Sequence, residues 1–254
     1  MSFITLLVVI FAIAFPALML CFAYPLNHKW ALFWSDYITT HTDRLFFAIF
    51  RRYRNFRLLM DEESKKLLPP QFLVISNHQS LIDIVVYLNF FAGTKVRFVA
   101  KDTLNNVPMV GKMLRTQGHC LIPRSGSPTV AMKTLEKFGS RVTADKSVIP
   151  VIFPEGTRSK DGKLGKFYSA GFRRLAQTVH LPVAVCVLDG GWRLSDIKHI
   201  LSDLKRGAYR VKVLKVYDAP MGKEEEKKIL EEAPALMQAQ LDAWRALPAA
   251  SWDI

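Results

Sequence analysis

The chain has 254 residues, half of them hydrophobic, so it can bury the core of one large or two modest globular domains. Its formal net charge of +13 suits anionic partners such as lipid headgroups, acidic carrier proteins or nucleic acid. The three cysteines lie far apart and form no CxxC pair, which argues against a cysteine metal site.

The first element in chain order is an apolar segment, Phe3–Leu26, that contains no charged residue. As a helix it would measure roughly 36 Å at about 1.5 Å per residue, enough for the roughly 30 Å hydrocarbon core of a bilayer. We therefore predict a membrane-embedded helical segment, in which Pro16 marks either a kink or the turn of a helical pair. A cleaved signal peptide is the alternative, but no Lys or Arg precedes the apolar run.

Aromatic and basic residues follow this segment, beginning with Lys29, Trp30 and Trp34 and continuing with four arginines at residues 51–57. Interfacial aromatic residues followed by positive charge mark the cytoplasmic side of a membrane. We therefore predict a membrane protein whose remaining chain lies on the cytoplasmic face, at the inner membrane if it is bacterial. Residues 36–60 have roughly helical spacing. We therefore predict two parts of the chain: a membrane anchor with an interfacial helical region, residues 1–57, and an α/β domain with a C-terminal helix, residues 58–254.

Short β-branched runs alternate with amphipathic segments between Pro70 and Pro220. Strands are predicted at residues 72–76, 96–100, 120–122, 147–153, 182–188 and 209–216. Helices are predicted at residues 80–91, 108–115, 128–142, 169–179 and 223–247, the last with a kink at Pro234. This alternation predicts an α/β fold, with a mostly parallel sheet covered by helices.

A histidine and an aspartate five residues apart follow the first predicted strand, in the stretch NHQSLID. On one ideal helix His78 and Asp83 would lie roughly 140° apart and could not meet. Ser80 and Asp83 have the spacing of a capping box, which would begin the helix at Ser80 and leave Asn77 and His78 in the preceding turn. Two interpretations remain open: a turn beside a helix cap, or a dyad in which Asp83 orients His78 as a general base.

The stretch FPEGTRS, residues 153–159, follows another apolar strand. It puts a carboxylate, a glycine and a guanidinium at the carboxyl edge of the sheet, where ligands of α/β proteins usually bind. Arg158 could bind a phosphate through two N–H groups. Between the two motifs, Lys101 and Arg124 place further positive charge beside apolar runs, and Gly118 supplies a permissive backbone position. Together these cations suit a phosphate site.

These motifs resemble those of the glycerolipid acyltransferase family, which includes the 1-acylglycerol-3-phosphate acyltransferases. The family's NHxxxxD motif matches Asn77, His78 and Asp83. Its EGTR motif matches the start of the later loop: Glu155, Gly156, Thr157 and Arg158. The element from Lys101 through Gly118 to Arg124 is similar to the family's second motif. The fourth motif is represented by LPVAVCV, in which Val185 stands where many members have a second proline.

The resemblance implies transfer of an acyl group from an acyl-CoA or acyl-carrier-protein thioester to the hydroxyl of a lysophospholipid. The leading acceptor is 1-acyl-sn-glycerol-3-phosphate, which would give phosphatidic acid. His78 and Asp83 would be the catalytic residues. The substrate-binding residues would be Asn77, Lys101, Arg124, Glu155, Gly156, Thr157 and Arg158. No metal and no cofactor beyond the thioester co-substrate is implied. The partners would be membrane lipid, the lysolipid and acyl-CoA or acyl carrier protein, with no nucleic acid.

Several alternatives stay open. The acceptor could be glycerol 3-phosphate or another lysolipid, since each offers a hydroxyl near a polar headgroup. A non-catalytic, membrane-attached lipid-binding or nucleic-acid-binding protein would use the same positive charge. A metal hydrolase and a nucleotide-binding protein are disfavoured, because the sequence contains no HExxH, P-loop or GxGxxG motif.

Overall fold

The computed structural model of the protein describes residues 3–123, 127–194 and 207–247. The strands are β1 (Phe56–Met60), β2 (Leu73–Ser76), β3 (Lys95–Lys101), β4 (Cys120–Ile122), β5 (Val148–Ile152), β6 (Val183–Asp189) and β7 (Gly207–Tyr217). The helices are α1 (Phe3–Leu26), α2 (His28–Tyr37), α3 (Asp43–Arg54), α4 (Ile82–Phe90), α5 (Val110–Thr116), α6 (Pro128–Ala144), α7 (Ser169–Val179) and α8 (Lys223–Arg245). A π-helical turn, Ile38–Thr42, connects α2 to α3.

The strands form one sheet in the order β1-β7-β6-β2-β5-β3-β4. All neighbouring pairs are parallel except β6 and β7, so β1 and β7 run opposite to the other five strands. The predicted α/β fold with a mostly parallel sheet is confirmed. Because β2 to β6 all point the same way, their carboxyl ends meet at one edge, and the amino ends of β1 and β7 lie at that edge too.

Helices cover both faces of this sheet, which explains why its strands are apolar on both sides. On β2, Val74 faces the cluster that contains α4, while Leu73 and Ile75 face the cluster formed by α6, α7 and α8. This alternation is the two-residue period of a strand. The last helix, α8, continues through Pro234 to Arg245, where the sequence predicted a kinked helix to residue 247.

The N-terminal helices α1 and α2 pack together around a small buried cluster that includes Leu20, Ala23 and Ala31. The turn between them is at Asn27, whose side chain accepts a hydrogen bond from the N–H of Lys29 at 2.8 Å and caps α2. Pro16 lies inside α1 and does not form the turn of the pair. Among the residues that the structure describes, no helix is both long and apolar enough to cross a membrane.

The roughly helical spacing of residues 36–60 does not correspond to a helix at its end. Helix α3 ends at Arg54, and β1 begins at Phe56, two residues before the predicted domain boundary. Asn55 between them has a φ of 50°, a left-handed conformation that Asn tolerates and that stops a helix. Phe56 is buried and β1 pairs with β7 at the edge of the sheet, so packing against a distant strand overrides the local helical pattern.

Candidate active site

His78 and Asp83 lie in contact at the carboxyl edge of the sheet, with Nδ1 of His78 2.6 Å from Oδ2 of Asp83. Strand β2 ends at Ser76 and α4 begins at Ile82, two residues later than predicted, which leaves His78 in the connecting turn. The Asp83 side chain is 0% exposed and the His78 side chain is 16% exposed. The dyad therefore presents only part of the imidazole to solvent.

Three donors besides His78 hold the Asp83 carboxylate. Its Oδ2 accepts from the backbone N–H groups of Gln79 at 2.7 Å and Ser80 at 3.1 Å. Its Oδ1 accepts from the hydroxyl of Tyr209 on β7. A carboxylate so surrounded acts as an acceptor, which assigns the proton of the dyad to Nδ1 and leaves the Nε2 lone pair available.

Tyr209 is fully buried, which raises its pKa well above the ordinary tyrosine value, and the charge of Asp83 raises the pKa further. The phenol therefore keeps its proton and remains a hydrogen-bond donor to Asp83 at every pH at which the protein would work. Sequence analysis missed this residue because Tyr209 is 126 positions from Asp83 and belongs to no local motif.

Glu155 lies just after the end of β5, and both of its carboxylate oxygens accept hydrogen bonds from backbone N–H groups. Oε1 accepts from the N–H of His78 at 2.8 Å, and Oε2 accepts from the N–H of Gly165 at 2.7 Å. Burial raises the pKa of Glu155, while these two N–H groups act in the opposite direction. A side-chain carbon at position 165 would lie 2.7 Å from Oε2, so glycine is required for this approach. The geometry favours a role in fixing the His78 turn to the following loop.

The loop after β5 packs directly on the His78 turn. Phe153 stacks on the imidazole, with ring centroids 4.2 Å apart and an angle of 10° between the planes. The N–H of Ser159 donates to the carbonyl oxygen of His78 at 2.7 Å. Arg158, the preceding residue, is half-buried beside this bond, while Gly156 and Thr157 are exposed. The two predicted motifs are therefore brought together.

Asn77 joins the His78 turn to β6. Its Nδ2 donates to the carbonyl oxygen of Leu188 at 2.8 Å, and its Oδ1 accepts from the N–H of the same residue at 2.8 Å. The side chain is buried and its amide is bonded within the protein. Asn77 therefore extends the pairing of β2 with β6 beyond the end of β2.

The remaining predicted substrate-binding residues are Lys101 and Arg124. Lys101 ends β3, which is separated from β2 only by β5, so it lies at the same edge as the dyad and about 10 Å away at about 4.8 Å per strand. Arg124 lies outside the described residues.

A second polar network, which sequence analysis also missed, connects the His78 turn through Gln79 to the end of β6 and to α8. Gln79 donates to Oδ1 of Asp189 at 3.3 Å and accepts from the N–H of Gly191 at 2.9 Å. Arg245, near the end of α8, pairs with both carboxylate oxygens of Asp189, at 2.8 Å and 3.0 Å. The only sequence signal was a glutamine within the NHQSLID stretch, because its partners are more than 100 positions away.

Residues 60–189, about half of the chain, match the family model described as Acyltransferase. The chain therefore belongs to the acyltransferase family. The matched segment contains the His78–Asp83 dyad, the loop with Glu155 and Arg158, and strands β2 to β6.

Within this family, the chain is similar to proteins named 1-acyl-sn-glycerol-3-phosphate acyltransferase. It is 36% identical to the one from Limnanthes douglasii over 124 residues, 48% of this chain and 43% of that protein. It is 31% identical to the one from Helicobacter pylori over 126 residues, 50% of this chain and 52% of that protein. The chain thus spans about half the length of these relatives.

The fold is also similar to a solved structure. The crystal structure of the 1-acyl-sn-glycerophosphate (LPA) acyltransferase PlsC from Thermotoga maritima matches with a TM-score of 0.66 at 20% identity. The match covers 96% of this chain and 94% of that chain, so the likeness of fold includes the N-terminal helices as well as the sheet.

Proposed function

We propose that this protein transfers a fatty acyl group from an acyl-CoA or acyl-carrier-protein thioester to the hydroxyl of a lysophospholipid. The proposed acceptor is 1-acyl-sn-glycerol-3-phosphate, and the product is phosphatidic acid. The observation that carries the proposal is the 2.6 Å contact between His78 and Asp83 in a chain of the acyltransferase family. The names of the similar proteins support the choice of acceptor.

In the proposed reaction, Nε2 of His78 accepts the proton of the acceptor hydroxyl as its oxygen attacks the thioester carbonyl carbon. Asp83 holds the ring and stabilises the imidazolium that forms. The carbon–sulfur bond then breaks, and the departing sulfur takes the proton from the imidazolium. The products are an ester and a free thiol, so the acyl group passes directly between substrates without an acyl-enzyme.

Positive charge at the carboxyl edge supplies the proposed binding site for the acceptor phosphate. Arg158 adjoins the His78 turn and Lys101 ends β3 at the same edge. Arg124 stays part of the proposal as a third cation, and Gly156 and Thr157 give the substrate access to the loop. Asn77 and Glu155 act on the substrate indirectly, since their polar atoms hold the turn that carries His78. A guanidinium from the loop after β5 and an ammonium group from the end of β3 suit a phosphate monoester.

We also propose that the N-terminal helices attach the protein to a membrane, with the α/β domain on the cytoplasmic face. Helices α1 and α2 expose large apolar side chains: Phe11, Leu18, Phe22, Leu26, Trp30 and Phe33. An exposed apolar surface of this kind suits contact with lipid. Attachment would bring the dyad to acceptors that reside in the bilayer.

The direct test incubates the purified protein with acyl-CoA or acyl carrier protein thioesters and a panel of acceptors. The panel comprises 1-acyl-sn-glycerol-3-phosphate, glycerol 3-phosphate and a lysolipid without a phosphate monoester. We expect one free thiol for each phosphatidic acid formed, with 1-acyl-sn-glycerol-3-phosphate the fastest acceptor. Thiol release without lipid product, or no release with any acceptor, would contradict the proposal.

Replacing the proposed base tests the dyad. His78→Ala should lower kcat by about 10²- to 10⁴-fold, the usual contribution of a positioned general base. The matched control is His28→Ala, since His28 is exposed on α2 away from the sheet. A folded His78→Ala protein with activity close to that of the control would rule out the proposed role.

Replacing Arg158 tests the phosphate contact. Arg158→Ala should raise the KM for 1-acyl-sn-glycerol-3-phosphate by about 10- to 100-fold, because a charge-assisted hydrogen bond is worth roughly 1.5–3 kcal/mol. The KM for a monoacylglycerol, which has no phosphate, should change little. An equal change in KM for both acceptors would show that Arg158 does not bind the phosphate.

A further inference from the structure

A cavity of about 260 Å³ lies far from the dyad, at the opposite edge of the sheet. It is enclosed by α2, the π-helical turn, α3, the end of α4 and the start of β3. Lys95 and Arg97 line the cavity, while Lys101, at the other end of β3, lies at the edge of the dyad. Six residues of strand at roughly 3.3 Å each separate the two edges by about 20 Å. The cavity is therefore a site of its own.

The most unusual residue in its wall is Arg97, which is only 7% exposed. Its Nη1 donates to the carbonyl oxygen of Val96 at 2.9 Å, and within the described part of the chain it forms no ion pair. Burial lowers the pKa of Arg97, and the more distant carboxylates of Asp36 and Asp145 offset this effect only in part. A buried guanidinium normally has a charged or hydrogen-bonding partner for most of its N–H groups.

The other charged groups around the cavity leave it positive. Arg44 on α3 is exposed at its mouth, and Lys95 pairs with Asp145 at 2.7 Å. Among the side chains that the structure describes, the one carboxylate in the wall is Asp36, and it already accepts a hydrogen bond from Gln117 at 2.9 Å. Because Lys95 is already paired, the positive charge of the described wall comes from Arg44 and Arg97, and its carboxylate is engaged with a neighbouring amide.

We propose that this cavity binds a phosphate group, either in the headgroup of a phospholipid or as free phosphate. Arg97 would offer its planar N–H groups from the floor, and Arg44 would close on the anion from the mouth. The hydroxyls of Thr39 and Thr40 add polar groups to the wall. One water molecule takes up roughly 30 Å³, so the space admits a phosphate with several waters.

The position of the cavity suggests what such a ligand would do. The wall formed by α2 and the π-helical turn is joined to the end of α5 through Gln117, which donates to Asp36 at 2.9 Å and to Thr39 at 3.1 Å. A phosphate held by Arg44 and Arg97 would add a second connection, between α3 and β3. Ligand binding would therefore stabilise the N-terminal helices against the sheet.

The test uses the protein of residues 1–254 and two probes: inorganic phosphate at constant ionic strength, and vesicles of phosphatidylcholine with or without phosphatidic acid. Phosphate affinity is measured by calorimetric titration, and vesicle binding by flotation. All proteins carry Arg158→Gln, so that the contribution of the proposed acceptor site at the dyad is weakened equally in every variant. Arg44→Gln and Arg97→Gln are the test variants. Lys137→Gln, which removes one exposed cation from α6, is the matched control.

We expect Arg44→Gln and Arg97→Gln each to weaken phosphate binding about tenfold, and Lys137→Gln to leave it unchanged. If Arg44→Gln also weakens flotation with phosphatidic acid vesicles, the ligand is a lipid headgroup; if flotation is unchanged, the ligand is the free anion. Arg44 is exposed, so we expect Arg44→Gln to fold, and its phosphate affinity can be measured even if Arg97→Gln does not fold. A phosphate affinity that is unchanged in a folded Arg44→Gln protein would overturn the proposal. Acyl transfer is not the readout, so failure here leaves the proposed function untouched.

Discussion

At the scale of single residues, one oxygen of Asp83 explains why the NHQSLID stretch supports two interpretations. Oδ2 accepts from the N–H groups of Gln79 and Ser80 at the start of α4 and also contacts Nδ1 of His78. The contacts that hold the turn before α4 and the dyad contact are therefore both present on the same atom. The backbone of the turn holds the carboxylate, and the carboxylate holds the imidazole.

The hydroxyl of Tyr209 gives a prediction at this scale. Tyr209→Phe removes one donor to Oδ1 of Asp83, so the carboxylate is held less firmly and orients His78 less well. We expect kcat to fall by about tenfold, with the acceptor KM unchanged, since a hydrogen bond to a charged group is worth roughly 1.5–3 kcal/mol. Steady-state kinetics at saturating thioester measures both constants.

The matched control is Tyr217→Phe on the same strand, which removes a hydrogen bond of 2.7 Å to Glu232 on α8. That change should leave kcat unaltered. If both variants behave alike, or if Tyr209→Phe raises KM and spares kcat, then Tyr209 does not position the dyad.

At the scale of elements, His119 connects three of them. It lies between α5 and β4, and its Nδ1 accepts from the N–H of Phe98 on β3 at 2.9 Å. Its Nε2 lies 3.2 Å from the side-chain oxygen of Gln117, so the neutral ring donates there. Burial, together with the smaller effect of the positive charges of Arg97 and Arg141, lowers the pKa of His119 to about 3.

This low pKa predicts acid sensitivity. The unfolded chain takes up a proton on His119 below pH 6.5, whereas the folded protein resists it until about pH 3. The stability that His119 contributes is therefore present above pH 6.5 and is lost as the pH falls towards 3, by about 1.4 kcal/mol per pH unit. His119→Asn keeps an acceptor for Phe98 but does not titrate, so its free energy of unfolding should fall less steeply with acid.

Urea unfolding of both proteins at a series of pH values measures the difference. The control is His180→Asn, because His180 is exposed and has a φ of 48°, which Asn tolerates. Parallel pH curves for His119→Asn and the unchanged protein would contradict the prediction.

Most elements between Pro70 and Pro220 could be predicted from the sequence, because strands covered on both faces leave short β-branched runs that stand apart from helices. Strand β1 could not. Its residues continue an arginine and aromatic pattern that fits a helix, and only pairing with β7, about 150 positions later, makes it a strand. The start of α4 was placed two residues early, since Ser80 bonds at the turn without being the first cap residue.

At the scale of the whole molecule, the last helix is coupled to the dyad through Asp189. Arg245→Gln leaves the buried Asp189 carboxylate without its charged partner and disturbs the amide of Gln79. We expect the free energy of unfolding to fall by about 2–4 kcal/mol, since removing one member of a buried pair is costly. Kcat should fall as well, because Gln79 adjoins His78.

Chemical unfolding with an activity assay on the same samples checks this prediction. Lys215→Gln is the control, because its ion pair with Glu232 is exposed to solvent and should contribute little to stability. If the two variants lose similar amounts of stability, the Asp189 pair is no more than a surface contact.

The candidate site was predictable only where its residues are close in sequence. The motifs around His78 and Glu155 carry local signals, namely a strand end, a cap and a glycine turn. Tyr209 and Arg245 carry none, since a tyrosine in a strand and an arginine near a helix end have ordinary structural roles. Their contribution depends on the strand order, which no single stretch of sequence specifies.

Strand β7 runs opposite to its neighbour β6, and this reversal puts the amino end of β7 at the edge of the sheet where Asp83 lies. In a wholly parallel sheet, every strand brings its carboxyl end to the dyad's edge. The reversal instead brings Tyr209 there from near the amino end of a strand that is paired with β1 on one side and β6 on the other. Asp83 is thus anchored, through the hydroxyl of Tyr209, to a strand that is paired on both sides, and the direction of the Nδ1 contact is set by the sheet.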